Sequence, residues 1–167
     1  MYTTFIRQMT KGLGQLAHWL DKAVAFSQTK GFDPNVLLGV RLAPDQFPFA
    51  RQVQIACDTA KLATARLTGL DAPKFDDKEA TIGELQARIR ATIAWIDGIP
   101  AEAFADAAAK VVSQPRWEGK TMTGARYFVE HAVPNFFFHL STAYALLRHN
   151  GVDLGKRDYL GPLTFQA

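Results

Sequence analysis

The stretch VEHAVPNFFFHLSTAYALLRHNG, residues 129–151, decides the fold. Counted from Phe128, the residues Ala132, Phe136, Leu140, Ala143 and Leu147 recur at spacings of three and four, and Phe137, Phe138 and Tyr144 widen the stripe. That period belongs to a helix with one apolar face, running from near Thr123 to a C-terminal stop at Asn150-Gly151. Pro134 has no N–H to give the carbonyl of Glu130 and crowds it, so a bend near Pro134 is predicted.

Three more helices read outward from this one. The first spans about Thr4 to Thr29, with Phe5, Met9, Leu13, Leu16, Leu20 and Val24 on its stripe, a stop at Gly31, and Gly12 and Gly14 as points of close approach. Asp33-Pro34 opens a short turn or helix. The second runs from Pro44 to Gly69, with Phe49, Val53, Ala56, Ala60, Ala63 and Leu67 facing inward. Thr81 and Glu84 form a capping box for the third, whose stripe is Ile82, Leu85, Ile89, Ile93 and Ile96. Between the third and fourth, AEAFADAAAK (101–110) suits a short helix, and the residues after it suit two extended segments around Glu118-Gly119. The tail after Gly151 is apolar enough to pack back on the body. The expected fold is all-α: one domain over residues 1–167, a four-helix bundle with a short β-hairpin-like insertion before its last helix.

Composition excludes several classes. The 167 residues are 48% hydrophobic and 21% charged, which is ordinary for a globular chain. The net charge is +3, but acidic residues accompany the basic ones and no Lys/Arg run is interleaved with aromatics, so no nucleic-acid partner is expected. A single cysteine, Cys57, rules out an intramolecular disulfide and reads as a small buried hydrophobe. No signal-peptide pattern and no run of apolar residues long enough to span a bilayer is present, so a cytoplasmic protein without membrane contact is expected. P-loop, dinucleotide, nucleophile-elbow and HExxH patterns are absent from the sequence.

Three of the four histidines lie in the opening stretch. His131 and His139, eight residues apart, point about 80° apart and sit about 12 Å apart along a regular helix, too far to share one ion; His149 is about 15 Å further on. Asn135 lies one turn before His139 on the same face, where a pair can converge on one ligand. A histidine beside such a stripe also suits a hydrogen-bonded core role. His18, with Asp21 and Lys22, reads as surface. Arg41, Asp45 and Arg51 surround Pro44 and Phe47, as a substrate clamp or as an ion-pair network fixing that loop. Trp117, Arg116 and Lys120 in the insertion suit a cleft rim or a subunit contact.

The runs 131–161 (HAVPNFFFHLSTAYALLRHNGVDLGKRDYLG) and 41–58 (RLAPDQFPFARQVQIACD) together resemble a bacterial domain family of unknown function placed with the DinB/YfiT-like four-helix proteins, described as metal-dependent enzymes. The resemblance implies an up-down-down-up bundle and a homodimer. It also implies a metal held by a second-helix histidine and a His-x-x-x-His pair on the fourth, with small thiols as cofactors in some transferase or isomerase relatives. Carried onto this chain, His139 matches the second histidine of the pair, Asn135 stands at the first, and Gln54 stands at the second-helix position with Asp58 one turn beyond. Amide oxygens are weak ligands for zinc or nickel, so a divalent metal at His139 would sit in a degraded site; the same groups make a good neutral hydrogen-bonding cluster. The expected function is a small-molecule, thiol-dependent transferase, with His139 and Asp58 catalytic and Asn135, Gln54, Arg41 and Arg51 binding substrate. The alternative is a non-catalytic ligand-binding or interaction protein without metal. A homodimer would bury part of the surface formed by Phe5, Trp19, Phe26, Tyr159, Leu160 and Phe165.

Overall fold

A computed structural model describes residues 1–165. The long helices are α1 (Tyr2–Lys30), α2 (Phe49–Thr68) and α3 (Ile82–Asp97), with a fourth built from α4 (Gly124–Tyr127), a π turn (Phe128–Ala132) and α5 (Val133–His149). A short α6 (Lys156–Leu160) follows, and β1 (Val111–Val112) pairs antiparallel with β2 (Met122–Thr123). The expected four-helix bundle with a small hairpin insertion is what the chain forms. No described helix is long and apolar enough to cross a membrane.

Cross-helix contacts set the directions. The start of α1 meets the end of α3 (Ile6 near Ile96), and Phe5 packs edge-on against Phe128 at the start of the fourth helix. The α2 residues Gln52, Thr59 and Arg66 pair with His139, Asn135 and Tyr127 in turn, so α2 runs antiparallel to the fourth helix. The bundle is therefore up-down-down-up. The core is drawn from the stripes read from the sequence: Leu13, Leu16, Val53, Ala60, Leu85, Ile89, Phe136 and Leu140 are all buried, whereas Phe5 at the end of its stripe is exposed and Val24 and Ile93 are half-buried. Gly12 allows α1 to approach α5, because a Cβ there would lie 2.9 Å from Leu140; Gly14, by contrast, faces open space.

Three local readings change. α2 starts at Phe49 rather than Pro44, since Phe47 precedes Pro48 and is pushed out of helical geometry, and Pro48 caps the helix in an extended conformation. In residues 101–110 only Ala101–Phe104 is helical, as a 3-10 turn, because Phe104 and Ala107 are its only buried anchors. The irregularity expected at Pro134 takes the form of a π turn just before it, in which the Val133 N–H reaches the Phe128 carbonyl, five residues back.

Two parallel neighbours need a crossover, and residues 69–81 supply it as a strap running back along α2 and α3. Its docking rests on Arg88, which is 3% exposed. Arg88 donates to Asp77 (2.6 Å) and Glu79 (2.8 Å) on the strap and to Asp58 (2.8 Å) on α2. Phe75 lies under both Arg88 and Lys61. At the other end of the chain, Tyr159 stacks on Trp19 at 5.7 Å and the Trp19 indole N–H donates to the Asp158 carbonyl. Trp19 is thus wholly buried inside the subunit, whereas Phe5, Leu160 and Phe165 stay exposed.

The hairpin is locked to the bundle at Gly124, whose N–H donates to the Lys110 carbonyl at 2.6 Å and whose missing Cβ would fall 1.9 Å from the Ala107 carbonyl oxygen. Gly124→Ala should therefore cost about 1–3 kcal/mol or more through overpacking. Urea titration of the variant checks this; a midpoint equal to that of the parent would mean the 105–110 segment yields freely.

Candidate functional site

A cleft of about 460 Å³ opens between α2 and the fourth helix, with the 3-10 turn Pro115–Trp117 on its rim. His139, Asn135 and Asp58 all line it, together with Arg51, Arg66 and Arg116. The π turn brings a further residue in. It spends one more residue per turn than an α-helix, which takes back part of the roughly 80° that would separate His131 from His139. His131 accordingly faces the same cleft.

His139 is held in one tautomer. The Gln52 side-chain NH2 donates to the Phe47 carbonyl at 2.9 Å, so Gln52 Oε1 must be the acceptor for His139 Nδ1–H at 2.7 Å. That leaves Nε2 as the lone-pair nitrogen on the cleft side. Burial, then the charges of Arg51 and Arg116, push the His139 pKa down to about 4, so the ring is neutral at pH 7. One turn away, Asn135 Nδ2 donates to Thr59 Oγ1 at 2.7 Å, and the Thr59 proton goes to the Ile55 carbonyl, which leaves Asn135 Oδ1 uncommitted.

The remaining sequence candidates divide. Asp58 is at the cleft, but its carboxylate is engaged by Lys61 (2.9 Å) and Arg88 (2.8 Å). Arg51 is at the cleft and is tied to Asp77 at 2.5 Å and Gln54 at 3.0 Å. Gln54 is not a cleft residue. It bridges Arg51 and Glu79, because two residues along a helix turn it about 200° from the Gln52 face. Arg41 is exposed, donates to the Gln46 carbonyl and lies away from the cleft; among the described residues no ion pair joins Asp45 to either arginine. Cys57 is buried, and burial pushes its thiol up to about 12, which makes it inert. His18 and His149 are exposed. Sequence reasoning missed Gln52, Thr59, Arg66 and Tyr127. The seven-residue spacing of Gln52, Thr59 and Arg66 on α2 is the readable signal of one helix face turned to a partner.

Residues 1–160 match the family described as a domain of unknown function, DUF1993. The chain belongs to that family. The crystal structure of a DinB family member protein from Shewanella denitrificans is similar, with a TM-score of 0.93 and 51% identity over 97% of this chain and 92% of that one. DUF1993 is thereby supported as part of the DinB-like superfamily. Comparison with curated proteins gives no match.

The DinB-like fold implies a metal, so the donor set of this DUF1993 chain can be tested against one. Among the described residues, no three His, Cys, Asp or Glu side chains gather where they could hold an ion. One turn from His139 the cleft residue is an amide, Asn135, and burial, then the charges of Arg51 and Arg116, already lower the affinity of the imidazole for a proton. Zinc or nickel would meet the same repulsion with too few anionic or imidazole ligands. The residues present do not fit a divalent cation.

Two outcomes follow from the electrostatics. His139 is neutral when folded, with a pKa of about 4 against the ordinary 6.5, so the unfolded chain binds the extra proton. Its contribution to stability is complete above pH 6.5 and is lost as pH falls toward 4. His139→Gln should flatten the stability–pH curve across that window, and the His139 imidazole resonance should titrate near the lower value. Arg88→Met should strip the strap of its counter-charge and cost about 3 kcal/mol at neutral pH. Burial opposes ionisation of Asp77 and Glu79, but hydrogen bonds and charges from Arg88, joined by Arg51 at Asp77 and by Gln54 and a backbone bond at Glu79, outweigh it and lower both pKa values. Their contribution is present above the ordinary values of 3.8 and 4.5 and lost below them, so the deficit of the variant should shrink in acid. Urea denaturation at pH 7 and pH 3.5 measures both arms.

Proposed function

We propose that the cleft is the active site of a small-molecule, thiol-dependent transferase in which His139 is the general base. The observation that carries this reading is the Gln52–His139 bond, which keeps the proton on Nδ1 and leaves the lone pair of Nε2 for the cleft. Nε2 accepts the thiol proton as the sulfur attacks the second substrate, and the leaving group departs with its electron pair. Asn135 Oδ1 and the Arg51 guanidinium orient the reactants, while Asp58 holds α2 and α3 together beneath them through Arg88. Membership of the DinB-like superfamily supports the thiol, and Asn135, one turn from His139 in the same cleft, supports descent from a metal site that has lost a ligand. A second reading, a binding protein without turnover, is favoured by the low basicity of His139, since general bases work best with a pKa near the working pH.

A screen of common thiols against alkylating and acyl electrophiles separates the two. Turnover that falls about 10²–10⁴-fold in His139→Gln supports the enzyme. Saturable ligand binding with no turnover, or turnover indifferent to that substitution, supports the binding protein. The proposal includes a cytoplasmic homodimer, supported by the superfamily resemblance and by the exposed apolar surface of Met1, Phe5 and Val129 at one end of the bundle. Light scattering should give about twice the 18.5 kDa of one chain; a single-chain mass across micromolar concentrations would remove the dimer.

A further inference from the structure

The end of the cleft away from His139 is rich in hydrogen-bond donors and poor in acceptors. Arg66, on α2, donates to the Tyr127 hydroxyl at 2.9 Å. Arg116, on the hairpin turn, donates to His131 Nε2 at 2.7 Å, and the Gln114 amide approaches the same nitrogen at 3.4 Å. The two acceptors belong to one stacked unit, since the Tyr127 and His131 rings lie 5.6 Å apart and 19° from parallel. Two guanidinium forks, from elements far apart in the chain, therefore meet on one aromatic platform and share one hydroxyl oxygen and one imidazole nitrogen.

No carboxylate answers them. Among the described residues, neither Arg66 nor Arg116 takes part in an ion pair, although Arg51, Arg88 and Arg126 all do. Among the described residues the one carboxylate that lines the cleft, Asp58, is committed to Lys61 and Arg88. Because Arg116 can only donate, His131 must accept at Nε2 and carry its proton on Nδ1, and Nδ1 is buried without a partner. The cluster is left with unused N–H groups and unneutralised positive charge.

We propose that Arg66 and Arg116, seated on the Tyr127–His131 stack, form an oxyanion subsite that takes the carboxylate or phosphate group of a small-molecule ligand. A planar guanidinium matches the two oxygens of either group, and two forks at an angle can hold one anion from two sides. The stack fixes their position in advance, so little ordering is needed on binding. His131 and His139 both line the cleft. A ligand anchored at this subsite and lying along the cleft would reach His139 with its far end. This inference rests on the cleft being the ligand site and adds the chemical class of what enters it. It also supplies a missing element of the mechanism, because Arg116 is among the charges that depress His139, and an anion beside Arg116 offsets that charge.

The test uses inorganic phosphate and acetate as separate probes, titrated at constant ionic strength against chloride, with the imidazole resonances of His131 and His139 read by NMR. A saturable shift of His131 with phosphate, acetate or both is expected, with affinity falling about tenfold or more in Arg116→Gln and in Arg66→Gln, the scale of one lost charge-assisted contact. A response to phosphate alone assigns a phosphate group, and a response to acetate alone assigns a carboxylate. Arg116 is exposed, so its variant keeps the fold even if replacing the half-buried Arg66 does not. His139→Gln should leave anion binding within about twofold. Absence of a saturable shift beyond chloride, or equal affinity in Arg116→Gln, overturns the subsite. Anion binding that survives while no His139-dependent turnover exists would sink the transferase reading alone. Turnover at His139 that ignores both arginine variants would sink the subsite alone.

Discussion

The buried guanidinium of Arg88 is the constraint on which the remaining architecture depends. Parallel α2 and α3 lie side by side, so the chain must return along nearly the whole length of α2 before α3 can begin. A strap of this kind has little apolar surface of its own to bury; Phe75 is its main contribution, and Phe75 lies against Lys61 and Arg88 rather than in the core. The strap is held instead by charge. Removing the Arg88 guanidinium from water is costly, and the arrangement is favourable only because three carboxylates each accept a short, directed hydrogen bond from it. Asp77, in a left-handed conformation at φ 56°, is placed to meet Arg88 with one oxygen and Arg51 with the other.

That cluster also sets the sign of the cleft. By engaging Asp58, Arg88 from α3 and Lys61 from one turn along α2 neutralise the carboxylate that would otherwise balance the cleft arginines. By engaging Arg51 through Asp77, the strap holds a third guanidinium at the cleft wall beside His139. Structural and functional roles are therefore coupled. A change made to loosen the strap would alter the potential felt by His139 even though the strap does not touch it.

The fold was legible because its signals are local and repeated. Stripes at spacings of three and four mark the buried faces, and Thr81-Glu84 and Gly31 mark ends that the chain uses as expected. Pro48 was the exception: its effect on Phe47 outweighed a plausible start at Pro44. At the site, His139, Asn135, Asp58 and Arg51 could be named from the sequence because each sits on a helix beside a motif or a stripe. Gln54 was chosen by motif position, whereas the bond to His139 is made from Gln52, on the other side of α2. Arg66, Arg116 and His131 were not assembled, since no local pattern joins an α2 arginine, a hairpin arginine and a histidine that a regular helix would turn away. Pro134 was the readable clue to the last of these. A helix that must break its hydrogen-bond ladder can do so by inserting a residue, and inserting one rotates everything upstream.

The same electrostatics that exclude a divalent cation argue for an anion. A metal site needs ligands whose charge or lone pairs outweigh the loss of the ion's hydration shell, and here the surrounding charges are positive while the nearest neutral donors are amides. An oxyanion meets the reverse condition, with fixed N–H donors, compensating charge and a wall that excludes water on one side. The pKa of His139 registers this environment: burial depresses it most, and the Arg51 and Arg116 guanidinium charges depress it further. A ligand bearing negative charge would therefore change the basicity of the residue it is carried toward. In a cleft built this way, an anion held at the arginines would raise the proton affinity of His139 by offsetting the charges that now depress it.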